Sequence, residues 1–377
     1  MVRRRVSSRS MIGRIIMAMA ALELIAGLFH PAYGQSSDDQ GLLGRPLRVG
    51  VVTWPGYAGG IVANNGFKPS KESIFWKKHK LLVEFLLMED VDVRAKAFAR
   101  GGDDGVDIVW STVDFWANEL PGFLAQGVKA RAIMQVDWSQ GGDAIVADAS
   151  IRKIEDLKGK KISLALFTPS HWLLEFGLEN SALSKDEQEQ IVKGLVGKNA
   201  SPDARVDFIA RKVDAAVVWE PDASEALKNR AGAHILYSSK EASHLIADLM
   251  VARENFIEQH PDVIKAFVQG WFEGTEEAER NHESVAKLLM DNEPLYKDLG
   301  PEETRKQLST VKWAGLSDNA EMFGLDAKNP PIFDQLFKRA GEAWVRHGYI
   351  KAAASPEQAK DDRFLKQLYG GGVSGAK

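Results

Sequence analysis

Residues 130–147, which read Ala-Arg-Ala-Ile-Met-Gln-Val-Asp-Trp-Ser-Gln-Gly-Gly-Asp-Ala-Ile-Val-Ala, indicate the fold class of this 377-residue chain. Residues 130–136 and 143–147 are short, mainly apolar runs, and a polar stretch with two consecutive glycines separates them. Short apolar runs bounded by turn-forming residues are typical of strands that are covered on both faces. Runs of the same kind recur on both sides of this stretch, so the sequence predicts a chain built on sheets.

Helical patterns stand between these runs. Further strands are predicted at residues 47–53, 81–88, 106–110, 160–166, 215–219, 234–237 and 246–251. Helices are predicted at residues 91–100, 115–126 and 172–183, and another follows Pro261 with one wide apolar stripe. Because helices separate the apolar strands, we expect α/β lobes with mainly parallel sheets covered on both faces.

The first 34 residues have the features of a secretory signal peptide. Five arginines stand among the first 14 residues, a largely apolar run covers residues 15–29, and Ala32 and Gly34 occupy the cleavage subsites. A membrane anchor is the alternative, but the run is shorter than the ~20 residues of a spanning helix, and it contains Glu23. We therefore expect export to the periplasm and a mature chain that starts near Gln35.

Composition excludes several classes of function. Residues 1–34 carry five Arg and one Glu, a net charge of +4, so the whole-chain charge of −4 leaves −4 − (+4) = −8 for the remainder. An acidic body argues against nucleic acid or an anionic membrane as a partner. The sequence has no Cys, which excludes disulfides and thiolate metal sites.

Motifs of catalysis are also missing. The sequence has no phosphate loop, no Gly-x-Gly-x-x-Gly, no Gly-x-Ser-x-Gly and no His-Glu-x-x-His. The seven histidines after the predicted signal peptide are scattered, with no pair at i, i+4 spacing. We therefore expect no enzyme activity, no cofactor and no metal site.

Three stretches, in this order, resemble the nitrate/sulfonate/taurine and thiamine-pyrimidine group of periplasmic binding proteins, which serve ABC importers. The first is Val-Gly-Val-Val-Thr-Trp-Pro-Gly-Tyr at residues 49–57. The second is residues 136–147, followed by Ile-Glu-Asp-Leu-Lys-Gly-Lys-Lys-Ile at residues 154–162. The third is Val-Asp-Ala-Ala-Val-Val-Trp-Glu-Pro at residues 213–221. Residues 317–323 fit as well, so the resemblance covers residues 46 to 366.

The resemblance implies a type II periplasmic-binding-protein fold, an α/β fold of two lobes with a two-segment hinge. It assigns residues 45–138 and 238–366 to lobe one, residues 139–237 to lobe two and residues 367–377 to a flexible tail. The chain would cross between the lobes at about residues 138–143 and 236–240, where paired glycines suit the dihedral angles of a hinge. The implied partners are a small-molecule solute and an ABC permease in the inner membrane, and the protein would be a monomer.

Candidate ligand contacts come from the rule that ligands of open α/β sheets bind beyond the carboxyl ends of the strands. The residues selected are Trp54, Tyr57, Ser111, Thr112, Asp137, Trp138, Thr168, Ser170, His171, Trp219 and Glu220.

Several of these residues have a purely structural alternative. Trp54 lies in a Pro-Gly loop with little core to join, which favours stacking on a ligand. Residues 111–114, Ser-Thr-Val-Asp, resemble a capping box, and helix capping alone explains them. Residues 168–171 open a helix whose free amides suit an anionic or carbonyl oxygen, although capping explains them equally well. Glu220 is either a ligand carboxylate or a partner for the opposite lobe.

The charge of the solute follows from the ionisable residues near these strand ends. Asp114, Asp137 and Glu220 stand there against His171 alone, and no Arg or Lys accompanies them. Anion sites normally recruit basic side chains, so a cationic or neutral nitrogen-bearing solute is the hypothesis. Helix starts at Ser111 and Thr168 can hold an oxyanion without a basic side chain, so an anion stays open.

The predicted function is therefore the capture of a small polar nitrogen- or sulfur-containing organic solute for an ABC importer. An enzyme of the same fold, acting in pyrimidine or related cofactor biosynthesis, is the alternative. The predicted signal peptide favours transport, because those pathways use cytoplasmic intermediates. A ligand sensor that serves a receptor also stays open.

Overall fold

The computed structural model describes residues 41–326 and 330–372. The predicted signal peptide and its cleavage site lie outside the described residues. The strands are β1 Leu47–Val51, β2 Val83–Leu87, β3 Ile108–Thr112, β4 Ala130–Ser139, β5 Asp143–Ala147, β6 Ile162–Ala165, β7 Leu195–Lys198, β8 Ala215–Trp219, β9 His234–Ser238, β10 Ala247–Arg253 and β11 Val311–Trp313.

The helices that precede strand β9 are α1 Ala58–Asn64, α2 Ile74–His79, α3 Val91–Arg100, α4 Val113–Ala125, α5 Pro169–Glu179, α6 Lys185–Lys193, α7 Ser201–Ile209 and α8 Asp222–Asn229. Those that follow it are α9 Glu254–Gln259, α10 Pro261–Arg280, α11 His282–Asn292, α12 Pro294–Leu299, α13 Pro301–Leu308, α14 Leu316–Phe323, α15 Ile332–Arg346, α16 Pro356–Ala359 and α17 Arg363–Gly372. Short 3-10 helices cover Pro55–Tyr57, Gly102–Asp104 and Ile154–Leu157. In the described parts of the chain, no helix is long and apolar enough to cross a membrane.

The strands form two separate sheets, which are the centres of two lobes. The sheet of lobe one has the order β11-β4-β10-β3-β1-β2, and the sheet of lobe two has the order β7-β6-β8-β5-β9. Chain segments on both sides of lobe two contribute to the sheet of lobe one, so the α/β two-lobed fold expected from the sequence is confirmed. The exact lobe boundaries stay a prediction.

The expectation of mainly parallel sheets is wrong. Strand β1 pairs in parallel with β2 and β3, and β6 pairs in parallel with β7 and β8. However, β10 is antiparallel to β3 and β4, β11 is antiparallel to β4, and β5 is antiparallel to β8 and β9. Antiparallel pairing arises because no βαβ unit leads into β5, β10 or β11. Strands β5 and β10 each begin after the chain crosses between the lobes, and β11 begins after a series of helices.

Two chain segments connect the lobes and lie side by side. The first comprises residues 140–142, between β4 and β5, and the second comprises residues 239–246, between β9 and β10. The Oγ atoms of Ser139 and Ser239 are 2.7 Å apart, and Ser239 Oγ also accepts a hydrogen bond from Gly141 N at 2.7 Å. This pair of segments, called the hinge below, has the left-handed φ of +117° at Gly141 that glycine alone adopts easily.

Helix α10 supports the loop that follows β1. Its buried stripe includes Phe267 and Trp271, as the apolar pattern predicts. Close approach to α1 depends on glycine, because a Cβ at Gly274 would lie 2.1 Å from the backbone oxygen of Gly59. Trp271 in turn packs edge-on against Tyr57 at a centroid distance of 6.5 Å. The first turn of α1 is therefore held rigidly below the mouth of the cleft.

Strands β7 and β11 and helix α17 differ from the sequence expectation. Strands β7 and β11 are absent from the predicted set, because β7 is a half-exposed edge strand and β11 has only three residues. Helix α17 continues to Gly372, whereas a flexible tail is expected from residue 367. Residues 373–377 lie outside the described residues.

Candidate functional site

A cavity lies between the lobes, beside the hinge. Its lining residues are Val52, Trp54, Tyr57, Trp110, Asp143, Pro169, Trp219 and Asp248. The cavity volume is about 10 Å³, roughly the space of one water molecule. Ligand cavities typically measure roughly 300–1,000 Å³, so this cavity, called the cleft cavity below, admits a solute only after the lobes move apart.

Both lobes contribute aromatic walls. Trp110 belongs to β3 of lobe one and Trp219 ends β8 of lobe two, and their rings meet edge-to-face at 6.0 Å between centroids. Both side chains are buried. Edge-to-face pairs of this kind contribute about 0.5–1.5 kcal/mol beyond the burial of their area. This pair therefore favours the closed arrangement of the lobes.

Trp54 forms a third wall and is fixed by a carboxylate and by the hinge. Its indole Nε1 donates to Asp137 Oδ2 at 3.1 Å. A Cβ at Gly142 would lie 2.3 Å from the Trp54 ring, and a Cβ at Gly56 would lie 1.8 Å from Asp137 Oδ2. Glycine at these two positions lets the backbone approach the site without displacing the indole.

Carboxylates reach the cleft cavity from both lobes. Asp143 opens β5 of lobe two and Asp248 lies in β10 of lobe one, and both are buried. Asp248 Oδ1 accepts a hydrogen bond from the Tyr57 hydroxyl at 2.7 Å. Asp137 and Asp114 are buried nearby, and we call these four residues the cleft aspartates.

Burial is the main cause of raised pKa values throughout this group. It raises the pKa of Asp137 to about 8, and the pKa values of Asp114 and Asp143 to about 7. The pKa of Asp248 is raised well above its ordinary value, first by burial and then by the charge of Asp137. The charge of Asp143 raises the pKa values of the other three as well. The ionised forms of these carboxyl groups thus repel one another.

Arg94 is the buried cation behind one aromatic wall, and it is already paired. Its Nη2 atom lies 2.5 Å from Glu119 Oε1, and its guanidinium stacks 5.0 Å from the ring centroid of Trp110. Glu119 also accepts a hydrogen bond from Ser111 Oγ at 3.2 Å. Arg94 is not among the residues that line the cleft cavity, and its Nε and Nη1 atoms lack a hydrogen-bond partner in the described structure.

A second set of contacts joins the lobes at the rim of the cleft. Ser224 of lobe two donates from N and Oγ to Glu220, both at 3.0 Å, and its Oγ lies 3.2 Å from Oε1 of Glu303 in lobe one. Burial raises the pKa of Glu220 to about 7, and the charge of Glu303 raises it further. This rim contact therefore brings two like-charged groups from opposite lobes together.

The opposite rim is joined by a cluster around His171. His171 Nε2 lies 3.5 Å from the Tyr349 hydroxyl and 3.4 Å from Glu175 Oε1. Arg346 and Glu179 form an ion pair at 2.7 Å across the same boundary. These contacts fix the two lobes to each other away from the cleft cavity.

The structure brings only some of the predicted site residues together. Trp54, Tyr57 and Trp219 line the cleft cavity, and Pro169, which lies between the predicted Thr168 and Ser170, does so too. Asp137 lies behind Trp54. A ligand-binding role for these residues stays a prediction.

Other predicted residues lie outside the lining. The Trp138 ring packs on His244 at 5.0 Å, Thr168 Oγ1 donates to Ala165 O at 2.8 Å, and Ser170 Oγ is buried. His171 and Glu220 belong to the two rims.

The capping box expected at residues 111–114 does not form. Thr112 is the N-cap of α4 and accepts from Phe115 N at 3.3 Å, so capping by one hydroxyl is confirmed. Asp114 is at the second helical position, one residue too early to return a hydrogen bond as the third residue of a capping box does. Both of its carboxyl oxygens lack a hydrogen-bond partner in the described structure.

Sequence reasoning missed Val52 and, among the lining residues with a polar group, Trp110, Asp143 and Asp248. Asp143 is opposite Trp219 in the antiparallel pair of β5 with β8, and Asp248 is opposite Thr112 in the pair of β10 with β3. The first residues of an antiparallel strand lie at the same sheet edge as the last residues of its neighbour. A search that included strand starts as well as strand ends would have found both aspartates.

The lining carries no common catalytic nucleophile. Among the described residues, no Ser, Cys, Lys or His lines the cleft cavity, and the described residues contain no group of three His, Cys, Asp or Glu that could hold a metal ion. The structure nevertheless resembles that of the desulfurization enzyme DSZB, with 15% identity, a TM-score of 0.54, and coverage of 87% of this chain and 100% of that one. This likeness shows a shared fold.

Comparison with solved structures supports the fold of periplasmic binding proteins. The aliphatic sulphonate binding protein SsuA from Escherichia coli superposes with a TM-score of 0.61 at 16% identity, over 84% of this chain and 97% of that one. The nitrate-binding protein NrtA from Synechocystis PCC 6803 gives a TM-score of 0.64 at 12% identity, over 88% and 89% of the two chains. At these identities the similarity concerns the fold.

Sequence comparison gives relatives of the same kind. The taurine-binding periplasmic protein of Escherichia coli (strain K12) is 31% identical over 131 residues, which is 34% of this chain and 38% of that protein. The segments aligned with the first curated relatives span 38% to 64% of their lengths. Residues 124–284 match the family model described as NMT1/THI5 like. This chain is therefore similar, through that segment, to the NMT1/THI5-like family, and the resemblance to nitrate-, sulfonate- and taurine-binding proteins is confirmed.

Proposed function

We propose that this protein is the exported solute-binding subunit of an ABC importer. It captures a small polar nitrogen- or sulfur-containing organic solute in the periplasm as a monomer and delivers it to a permease in the inner membrane. The observation that carries this proposal is the cleft cavity, which is lined from both lobes and lies directly beside the hinge. A solute in this position contacts both lobes at once.

Closure follows from that arrangement. Residues 140–142 and 239–246 are short enough to act as rotation points, and a ligand that touches both lobes stabilises the closed form. The contacts between Trp110 and Trp219 and at the two rims form only when the lobes are together. The permease would recognise this closed form.

Small-angle scattering of the mature protein tests the proposal. A panel of sulfonates, nitrate, amines, guanidinium and pyrimidines is screened by thermal shift, because a ligand that binds only the folded state stabilises it by RT ln(1 + [L]/Kd). A stabilising solute is expected to reduce the radius of gyration of the wild-type protein. Trp219→Ala, which removes a wall without touching the hinge, should lose both effects. A stabilised protein whose radius stays the same contradicts ligand-coupled closure.

Export is tested separately by fractionation and N-terminal sequencing of the cellular protein. The expected result is a chain that starts near Gln35 in the periplasmic fraction. A full-length chain in the cytosol contradicts the transport role and favours an enzyme of this fold. Mass spectrometry of the stabilising solute after incubation separates these functions further, because a binding protein returns it unchanged.

A further inference from the structure

The charge around the cleft cavity has one sign. Asp143 and Asp248 line it from opposite lobes, and no Arg, Lys or His is among the lining residues of the described structure. Asp114 and Asp137 lie close enough to raise the pKa of Asp248 through their charges. Arg94, behind Trp110, is paired with Glu119. A buried charge is stable only when it is paired. The lining of the cleft cavity offers these carboxyl groups no counter-charge.

Several buried polar atoms around the cleft cavity also lack a partner. They are the acceptors Asp137 Oδ1 and both carboxyl oxygens of Asp114, and the donors Nε1 of Trp110, a lining residue, and Nε and Nη1 of Arg94 behind it. Trp110 is 2% exposed, Asp114 is 2% exposed and Asp137 is fully buried. Unsatisfied buried polar groups cost about 1–3 kcal/mol each, and native structures rarely keep them without a functional reason. The three carboxyl oxygens fit N–H donors of a ligand, and the three N–H groups belong to Trp110 and to Arg94, which is paired with Glu119.

Aromatic rings make up most of the remaining surface. Trp54, Trp110, Trp219 and Tyr57 supply four of the eight lining side chains. Cations gain roughly 0.5–2 kcal/mol over such faces, and carboxylates together with aromatic rings form cages for ammonium groups. An anion would instead meet the electron-rich faces and the carboxyl groups of the same cavity.

A metal ion does not fit these observations. The described residues contain no group of three carboxylates or histidines that converges tightly enough to hold one. Indole rings are not ligands of hard cations, which take oxygen atoms. The lining of carboxylates and aromatic rings fits an organic cation.

We propose that the solute is a small organic cation, an ammonium or guanidinium compound, which Asp143 and Asp248 hold from opposite lobes beside the rings of Trp54, Trp110 and Trp219. This inference rests on the proposed solute-binding function. It departs from the sulfonate- and nitrate-binding proteins that share the fold, because sulfonate and nitrate are anions. The cation supplies the counter-charge that the cleft aspartates lack.

Three planar molecules of similar size separate charge from shape. Guanidinium chloride, urea and sodium nitrate, each at millimolar concentration or below, carry charges of +1, 0 and −1 on a trigonal frame. Isothermal titration calorimetry of the mature protein should give a Kd for guanidinium at least tenfold below that for urea, and no binding of nitrate. Methylammonium and ethylammonium chloride extend the cation series, and methanesulfonate and taurine extend the series with a sulfonate group.

Isosteric variants assign the effect to the two lining carboxylates. Asp143→Asn and Asp248→Asn should each weaken binding of the best cation at least tenfold. Both proteins are expected to fold, because neutralising a buried carboxyl with a raised pKa removes a destabilising charge. Asp186→Asn, which removes the same charge from exposed helix α6 of lobe two, should leave the Kd within twofold.

Two other results would each overturn the proposal. One is the failure of every cation in the series to bind. The other is binding of nitrate or a sulfonate that grows stronger in Asp143→Asn and Asp248→Asn. If an anion binds and scattering shows compaction, the cation inference fails while the solute-binding function stands. If no solute of any charge stabilises or compacts the protein, both fail.

Discussion

Replacement of Ser239 by alanine tests whether the hinge is held by one hydroxyl. Ser239 is fully buried, and its Oγ accepts from Gly141 N at 2.7 Å, lies 2.7 Å from Ser139 Oγ and lies 3.3 Å from Asp143 N. The hydroxyl on the second crossing segment therefore meets three groups on or beside the first. We expect Ser239→Ala to loosen this junction.

The size of the effect follows from the groups that lose a partner. Asp143 N keeps a second acceptor, Ser139 Oγ at 3.2 Å, so it stays satisfied. Gly141 N has no other acceptor in this junction, and an unsatisfied buried donor costs about 1–3 kcal/mol. Because Gly141 is only half-buried, water can reach it in part, which places the expected loss at about 1–2 kcal/mol.

Urea unfolding measures this loss as a lower midpoint at unchanged slope. Ser309→Ala is the matched control, since the Ser309 hydroxyl caps an exposed turn, and its removal should stay within about 0.5 kcal/mol. A Ser239→Ala protein with wild-type stability would refute the view that this hydroxyl holds the crossing segments together. A loss equal to that of the control would do the same.

Three further predictions concern the cleft. Gly142→Ala places a Cβ 2.3 Å from the Trp54 ring, so we expect a loss of about 1–3 kcal/mol of stability and a tenfold or greater loss of solute affinity. The control Gly122→Ala, in open space on a helix, should be neutral or slightly stabilising. Equal calorimetric affinities of the wild type and Gly142→Ala for the solute would contradict this expectation. Glu303→Gln removes the repulsion between residue 303 and Glu220 across the rim. The ligand-free variant should therefore show a smaller radius of gyration by scattering than the ligand-free wild type. An unchanged radius would exclude this repulsion as a barrier to closure. Burial raises the pKa values of Asp114 and Asp143 to about 7, that of Asp137 to about 8 and that of Asp248 well above its ordinary value, so the ligand-free folded state binds more protons than the unfolded state between pH 6 and 8. Thermal stability should therefore fall as pH rises from 6 to 8, and a Tm that rises over this range would contradict the assignment.

Local patterns were sufficient to locate most strands. Strands β5 and β8 have the predicted bounds, because each is a fully buried apolar run with turn-forming residues at its ends. Strand β7 escaped notice because an edge strand with Gly197 and Lys198 lacks such a run. Strand direction could not be predicted, since it depends on which sheet a strand joins after the chain crosses between lobes.

Part of the candidate site was also predictable from the sequence. Aromatic residues that follow strands, such as Trp54 and Trp219, were found by the rule on strand ends. Asp143 and Asp248 were not, because the rule assumes parallel strands and these two residues begin antiparallel ones. The acidic character of the site was nevertheless predicted from Asp114, Asp137 and Glu220, since no Arg or Lys accompanies them at the strand ends.

Asp143 connects the charge of the solute to the movement of the lobes. Its backbone N–H belongs to the hinge junction through Ser139 Oγ at 3.2 Å, and its carboxyl group lines the cleft cavity. In the proposed closing movement this carboxyl approaches Asp248 of the other lobe, and its charge raises the free energy of the ionised form of Asp248. At neutral pH without a ligand, closure therefore requires protons on these groups, whereas a bound cation replaces those protons. Solute binding should accordingly release protons, and calorimetry at pH 7 in buffers of different ionisation enthalpy would reveal them as a buffer-dependent heat. A heat that is the same in all buffers would mean that the cleft aspartates keep one protonation state throughout, and closure would then need a cause other than charge.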